Sequence, residues 1–250
     1  MKRDGATISI WQHKMPEYIP KNNLIGDQIY DVLIVGGGIT GLATGLLLQQ
    51  SGKKCLIAEA KNIGFGTTGG TTAHLNTVLD SSYAEIERNF GENAAALVCS
   101  SALQAIELVE KNIQDFSINC GYSKKNGYLF SVDEKQTDEL EEIFYSSNRA
   151  GCAMEWSNVL PLDIRFKKAV VFKNQAQFHP LFYLKGLAEA AERNGAQFFT
   201  ETHAKEIDAT GIVTDEDFKI SAKHIVVATN SPVAISKPLL RAKPSPPFIL

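Results

Sequence analysis

From Asp31 the chain enters a run of apolar, mostly β-branched residues, Val32-Leu33-Ile34-Val35, that stops at three consecutive glycines. A short apolar run closed in this way predicts a strand buried on both faces. Beyond the glycines, Ile39, Leu42, Ala43, Leu46 and Leu47 recur at helical spacing, and Ser51-Gly52 supplies a stop. Residues 54–58 then form a second apolar strand that ends at Glu59. Together these make a strand–helix–strand unit of about 30 residues.

The pattern then changes. Val98, Ala102, Ala105, Ile106, Val109 and Ile113 form one stripe of a helix expected over roughly 81–112. Strands are expected at 127–132 and 169–172, separated by a charged helix over 134–148. Leu184, Leu187, Ala188 and Ala191 define a later amphipathic helix that stops at Asn194-Gly195. Short strands follow at 196–200, 203–208, 212–214 and 218–221, and the run 224–229 returns to the buried-strand pattern of the beginning. That return places the last strand in the first sheet. The expected architecture is therefore α/β: a Rossmann-type domain, made of 28–78 and 178–232, whose parallel sheet carries a small antiparallel β-meander. A separate α+β lobe covers 79–177. An extended lead-in covers 1–27 and a proline-rich, irregular tail covers 233–250.

Composition narrows the partners. With 250 residues, 44% of them hydrophobic, the chain can bury one large or two modest cores. A net charge of -3 leaves no electrostatic footprint for nucleic acid or anionic lipid. The apolar stretch from Val32 to Leu48 is short for a membrane span and is interrupted by glycines, so a buried strand and helix are expected there. The N-terminus lacks the long apolar segment of a secretory signal. Cys55, Cys99, Cys120 and Cys152 are widely spaced, with no C-x-x-C pair and no histidine at ligand spacing. They predict reduced thiols in a cytoplasmic protein, with neither a metal site nor a disulfide framework.

The chemistry is concentrated at the first glycines. In Gly36-Gly37-Gly38-Ile39-Thr40-Gly41 the first glycine of the G-x-G-x-x-G pattern permits a tight turn off the strand. The second lets the backbone approach a pyrophosphate, and the third lets helix pack on strand. The helix N-terminus offers amide donors and a partial positive charge to phosphate. Glu59, 18 residues after Gly41, ends the second strand, where an acid can accept hydrogen bonds from the adenosine ribose hydroxyls. A second loop rich in glycine and threonine, 64–74, follows directly. Such a loop suits the longer ribityl and pyrophosphate stretch of FAD and has no task in an NAD enzyme, which makes FAD the expected cofactor.

At these residues the chain resembles the glycine and D-amino acid oxidase (DAO) family of FAD-dependent oxidoreductases. The likeness runs through 31–59, the 64–73 loop, His179-Pro180 ahead of the helix 181–194, and Ala228-Thr229-Asn230 closing the late strand. It implies that Gly36, Gly38 and Gly41, with Ile39 and Thr40 of the same turn, hold the pyrophosphate. Glu59 and the adjoining Ala60 would take the ribose, and Gly66, Thr67 and Thr68 the pyrophosphate and ribityl chain. Thr71 and Thr72 would lie near the flavin, Ala204 would offer its backbone to adenine, and Ala228, Thr229 and Asn230 would run past the cofactor. It further implies oxidation of an amine or amino acid at a C–N bond, by hydride transfer to flavin N5, with no catalytic side chain assigned. The electrons would pass on to dioxygen or an iron–sulfur protein.

The lead-in Ile8-Ser9-Ile10-Trp11-Gln12 and the segment Thr71-Thr72-Ala73-His74-Leu75 look like the branch of the family with a C-terminal Rieske domain. The C-x-H and C-x-x-H ligand pairs of a Rieske cluster do not occur in these 250 residues. Members of the family run well beyond this length, and four of the last thirteen residues are proline. A truncated chain with an incomplete substrate lobe is therefore expected, with a non-catalytic FAD- or partner-binding remnant as the alternative and an NAD-dependent dehydrogenase as a lesser one. His74 is read as a loop histidine bonded to backbone rather than a flavin neighbour. Tyr122, Tyr128, Phe130 and Phe178 are read as core aromatics, and Cys120 and Cys152 as buried thiols.

Overall fold

A computed structural model describes residues 8–13, 15, 17–21 and 29–230. The proline-rich tail and much of the lead-in lie outside the described residues. The chain divides into two compact units, 1–69 with 187–250, and 70–186.

The first unit holds a six-stranded sheet in the order β7-β2-β1-β10-β9-β8. Its strands are β1 (Tyr30–Val35), β2 (Cys55–Ala58), β7 (Gln197–Phe199), β8 (Ala204–Asp208), β9 (Gly211–Thr214) and β10 (Lys219–Val227). β7, β2, β1 and β10 run parallel, and β9 and β8 continue the sheet as an antiparallel meander. Helix α1 (Ile39–Gln50) crosses between β1 and β2. It lies so close to the sheet that a Cβ on Gly45 would come within 2.8 Å of Ile57 Cδ1.

One expectation is corrected here, since the two separate strands read at 218–221 and 224–229 are a single strand. Residues 219–221 of β10 pair with β9, and the same strand continues from Ala222 along β1. Lys223 resembles a break in the sequence, yet its Nζ reaches Asp31 Oδ1 at 2.7 Å. That hydrogen bond, with a second from the Lys54 amide, holds the Asp31 carboxyl below its ordinary range.

The second unit carries α2 (Tyr83–Phe90), α3 (Glu92–Phe116) and α4 (Glu134–Ala150), with a sheet centred on β6 (Lys168–Gln177). β4 (Ser123–Ser131) pairs with β6, as do the short strands β3 (His74–Leu75) and β5 (Met154–Ser157). The one helix expected over 81–112 is two, because Gly91 at φ +88° ends α2 and begins α3. The buried line of α3 is Ala95, Cys99, Ile106, Val109 and Asn112, and Ala105 faces solvent. His74 is strand rather than loop, and Phe130 is exposed rather than core.

The division falls at 69/70 and 186/187 rather than at 78/79 and 177/178. β3 pairs with β6, which carries residues 70–78 into the second unit. Gly186, on α5 (Pro180–Arg193), lies against Ile118 so tightly that an added Cβ would meet it at 2.6 Å.

The reading of four reduced thiols is overturned. Cys99 on α3 and Cys152 just after α4 form a disulfide across 53 residues of sequence. The α2–α3–α4 packing brings together two cysteines that no local spacing relates, and only Cys55 and Cys120 are free and buried. Thiol titration of the denatured, unreduced chain should therefore count two reactive groups, rising to four after reduction. Four before reduction would contradict the pairing.

Gly127 offers a stability test of this unit. It sits at an irregularity in the β4–β6 pairing, and an added Cβ would fall 2.0 Å from the Phe172 ring, which is packed against Leu140, Met154 and Val170. Gly127→Ala should cost about 1–3 kcal/mol in denaturant unfolding, as overpacking does. No helix among the described residues is long and apolar enough to cross a membrane.

Candidate functional site

β1, β2 and β10 end in register, with Val35 opposite both Ala58 and Val227. The ladder runs one step further through Gly36 N to Ala58 O (2.8 Å) and Ala228 N to Val35 O (2.8 Å). Gly36, Glu59 and Ala228 thus gather at the carboxyl edge of the sheet. In an open α/β sheet, ligands bind in the crevice at that edge.

The glycines there are dictated by space. Gly36 has φ +118°, and a Cβ on it would stand 2.5 Å from Ala228 O. A Cβ on Gly41 would stand 1.9 Å from Gly36 O, so helix and turn can approach only with hydrogen at that position. At Gly38 the single neighbour among the described residues within 4 Å of an added Cβ is Thr68 Oγ1, so among them this face of the turn is open to a close-lying group. Gly38, which precedes α1, brings no capping side chain of its own, and the first turn of α1 holds no acidic residue. Its N-terminal partial charge is therefore left for an anion to meet.

Glu59 closes the turn from the side. Its Oε2 accepts from Gly37 N at 2.6 Å and its Oε1 from Lys61 N at 2.9 Å. Each oxygen keeps acceptor capacity beyond these bonds, and the two amides hold the carboxylate in place. The chemistry of this donor and acceptor set fits the phosphate and ribose of a dinucleotide.

The 64–70 loop lies over the turn. Gly64 N donates to Gly37 O (3.1 Å), and Ile39 N donates to Thr68 Oγ1 (3.2 Å). Asn230, at φ +60° past the end of β10, donates through Nδ2 to Thr67 Oγ1 (3.0 Å). Gly66 O anchors the short 3-10 turn Thr67–Gly70 by accepting from Gly69 N (2.9 Å). The structure so brings together Gly36, Gly38, Ile39, Gly41, Glu59, Thr67, Thr68, Ala228 and Asn230, with Thr40, Ala60, Gly66 and Thr229 adjoining them in the chain. Thr71 and Thr72 belong to the other unit, where Thr71 Oγ1 accepts from Ala73 N (3.2 Å). Ala204 is buried at the start of β8, opposite Thr214.

In the sequence, Ser9 and Gln12 count only as part of a family likeness, with no contact assigned to them. Ser9 and Gln12, in a segment expected to be extended, form a hydrogen-bonded turn whose side chains reach the 64–70 loop. The signal was present as Ser-x-x-Gln, the pattern of a capping box.

Comparison with known proteins agrees with this geometry. Residues 31–248 match the family described as FAD dependent oxidoreductase, DAO. A putative Rieske 2Fe-2S iron–sulfur protein of Bacillus subtilis, YhfW, is 32% identical over 205 residues, covering 81% of this chain and 40% of that protein. The gamma-glutamylputrescine oxidoreductase of Escherichia coli is 27% identical over 233 residues, covering 90% of this chain and 54% of its own. Among solved structures, glycine oxidase from Geobacillus kaustophilus superposes with TM-score 0.64 at 22% identity, over 80% of this chain and 55% of that one. L-Amino acid deaminase from Proteus myxofaciens gives 0.71 at 16% identity, over 91% and 51%. The chain spans about half the length of the curated relatives it matches. From the glycine turn to the end of the late strand, the chain belongs to the DAO family of FAD-dependent oxidoreductases.

Proposed function

We propose that this chain is the FAD-binding part of an oxidoreductase that oxidises an amine or amino acid at a C–N bond. The observation that carries the reading is the Gly36–Gly41 turn, closed by Ala228 on one side and by the amide-fixed Glu59 carboxylate on the other. FAD, when bound, supplies the two-electron acceptor for a hydride leaving the carbon next to nitrogen. The residues of the chain bind and orient. The α1 N-terminus and the Gly38 face receive the pyrophosphate, Glu59 with Ala60 beside it takes the ribose hydroxyls, and Gly66, Thr67 and Thr68 follow the ribityl side. Thr71 and Thr72 near the flavin, Ala204 at the adenine, and Ala228 to Asn230 along the cofactor complete the proposed contacts.

The amine oxidoreductase named among the relatives supports the substrate class, and the Rieske protein supports an iron–sulfur electron acceptor over dioxygen. A cytoplasmic location is part of the proposal. The Cys99–Cys152 pair is the observation against it, since structural disulfides persist mainly in oxidising compartments, and fractionation of cells decides.

The test is anaerobic titration of the purified, FAD-loaded chain with a panel of primary and secondary amines and amino acids. Bleaching of the oxidised flavin spectrum by a member of the panel is the expected result. Tight FAD binding with no bleaching by any member favours the non-catalytic remnant instead. In a thermal-shift comparison, FAD at about 100 times its Kd should add roughly 2.7 kcal/mol of stability, and NAD should add none. A shift with NAD alone would turn the reading toward a dehydrogenase.

A further inference from the structure

The segment Ser9-Ile10-Trp11-Gln12 makes a reciprocal cap. Gln12 N donates to Ser9 Oγ at 3.2 Å, and Ser9 N donates to Gln12 Oε1 at 3.2 Å. The turn is completed by Gln12 N and His13 N donating to Ser9 O at 3.2 and 3.1 Å. A cap of this kind satisfies two backbone donors and leaves the serine hydroxyl proton and the glutamine NH2 unspent.

Both remaining donors go to the same place. Ser9 Oγ donates to Gly69 O, and Gln12 Nε2 donates to Phe65 O at 3.3 Å. These two carbonyls flank Thr67 and Thr68, whose hydroxyls hold Asn230 Nδ2 and the first amide of α1. Gly69 is the seat of the contact, because a Cβ there would fall 2.7 Å from Gln12 Nε2 and 2.5 Å from Gly64 O. A turn that served only its own backbone would have no reason to aim both spare donors at a loop more than fifty residues away.

We propose that Ser9 and Gln12 are positioning residues that clamp the 64–70 loop, through Phe65 O and Gly69 O, in the conformation that receives the pyrophosphate and ribityl part of FAD. The clamp itself is a property of the ligand-free chain, and its effect on FAD rests on the function proposed above. Ordering the loop beforehand removes an entropic cost that the cofactor would otherwise meet on binding. Thr67 and Thr68 are the groups whose placement the clamp controls.

Gln12→Glu separates clamp from cap. Glutamate serves the cap as well as glutamine, because it keeps the acceptor for Ser9 N, but it has no donor for Phe65 O. Ser9→Thr keeps both the cap and the hydroxyl donor, and Ser9→Ala loses both. Two measurements on the full chain read the outcome. In the ligand-free protein, chymotryptic cleavage after Phe65, 40% exposed, is timed against cleavage after Phe90, 76% exposed, as an internal reference. FAD affinity is then measured by quenching of flavin fluorescence.

Gln12→Glu and Ser9→Ala should speed cleavage after Phe65 relative to Phe90 and raise the FAD Kd by roughly fivefold to tenfold, the effect of one lost hydrogen bond at an ordered loop. Ser9→Thr should stay within about twofold of wild type in both, since a single retained hydroxyl bond keeps the contact. Wild-type cleavage and affinity in Gln12→Glu would overturn the proposal and leave the turn a local structure. Faster cleavage in Gln12→Glu with unchanged FAD affinity would also overturn it. If the wild-type chain bound no FAD, the function proposed above would fail, and unchanged cleavage rates in the ligand-free variants would refute the clamp separately.

Discussion

Gly41→Ala should abolish measurable FAD binding, with affinity lowered at least about a hundredfold, because two amide–phosphate bonds at roughly 1.5 kcal/mol each are given up when the turn opens. The added methyl would stand 1.9 Å from Gly36 O and 3.3 Å from Ile34 Cγ2. Neither can retreat, since one is backbone held at the sheet edge and the other is a fully buried core residue. The helix must move off β1, and its N-terminal amides leave the crevice with it. Some of the damage will be to folding, so far-UV circular dichroism accompanies the titration. Gly38→Ala isolates the binding effect. Among the described residues its methyl would meet only the Thr68 hydroxyl, at 3.1 Å, on the face proposed for the pyrophosphate. It should fold with a near-wild-type melting midpoint and still bind FAD at least tenfold more weakly, about the worth of one charge-assisted hydrogen bond. Normal affinity in both variants would remove the turn from the site.

Glu59→Ala ranks second. It strips the acceptor from Gly37 N and Lys61 N and removes both partners proposed for the ribose hydroxyls. A hydrogen bond to a charged group contributes about 1.5–3 kcal/mol, so FAD affinity should fall roughly tenfold to a hundredfold. Glu59→Gln keeps one acceptor oxygen and should lose less. If Glu59→Gln and Glu59→Ala both bind like wild type, the carboxylate faces no ribose.

The parts of the fold that the sequence discloses are those whose causes are local. Gly36 and Gly41 are demanded by backbone contacts within a few residues of the turn or one strand away, and the apolar runs of β1 and β2 reflect burial on both faces, whereas the apolar run expected to be buried at 224–229 is only partly covered, with Val227 47% exposed. The strand–helix–strand unit and its Glu59 were legible for that reason. What the sequence concealed depends on distant partners. β3 and β5 are strands because β6 pairs with them, and at two and four residues they are too short for their own pattern to disclose them. β10 stays continuous across Lys223 because it pairs along β1, far away in sequence, while the Lys223 side chain stays at the surface and reaches Asp31. Cys99 and Cys152 meet because three helices pack, and an isolated spacing of 53 carries no hint of it. Ser9-x-x-Gln12 is a different case. Its signature is local and complete, but it stands alone in a stretch without periodicity, and its purpose becomes visible only with the 64–70 loop above it.

The central claim is that the glycine turn, Glu59 and the threonine loop form one FAD site. Hydrogen–deuterium exchange of the full chain with and without saturating FAD tests it most directly, because amides that meet phosphate or become enclosed exchange more slowly. Protection should appear together in peptides covering 36–41, 59–61, 64–70 and 228–230, and should be absent from α4. Saturable FAD binding that leaves 36–41 and 64–70 unprotected would contradict the account.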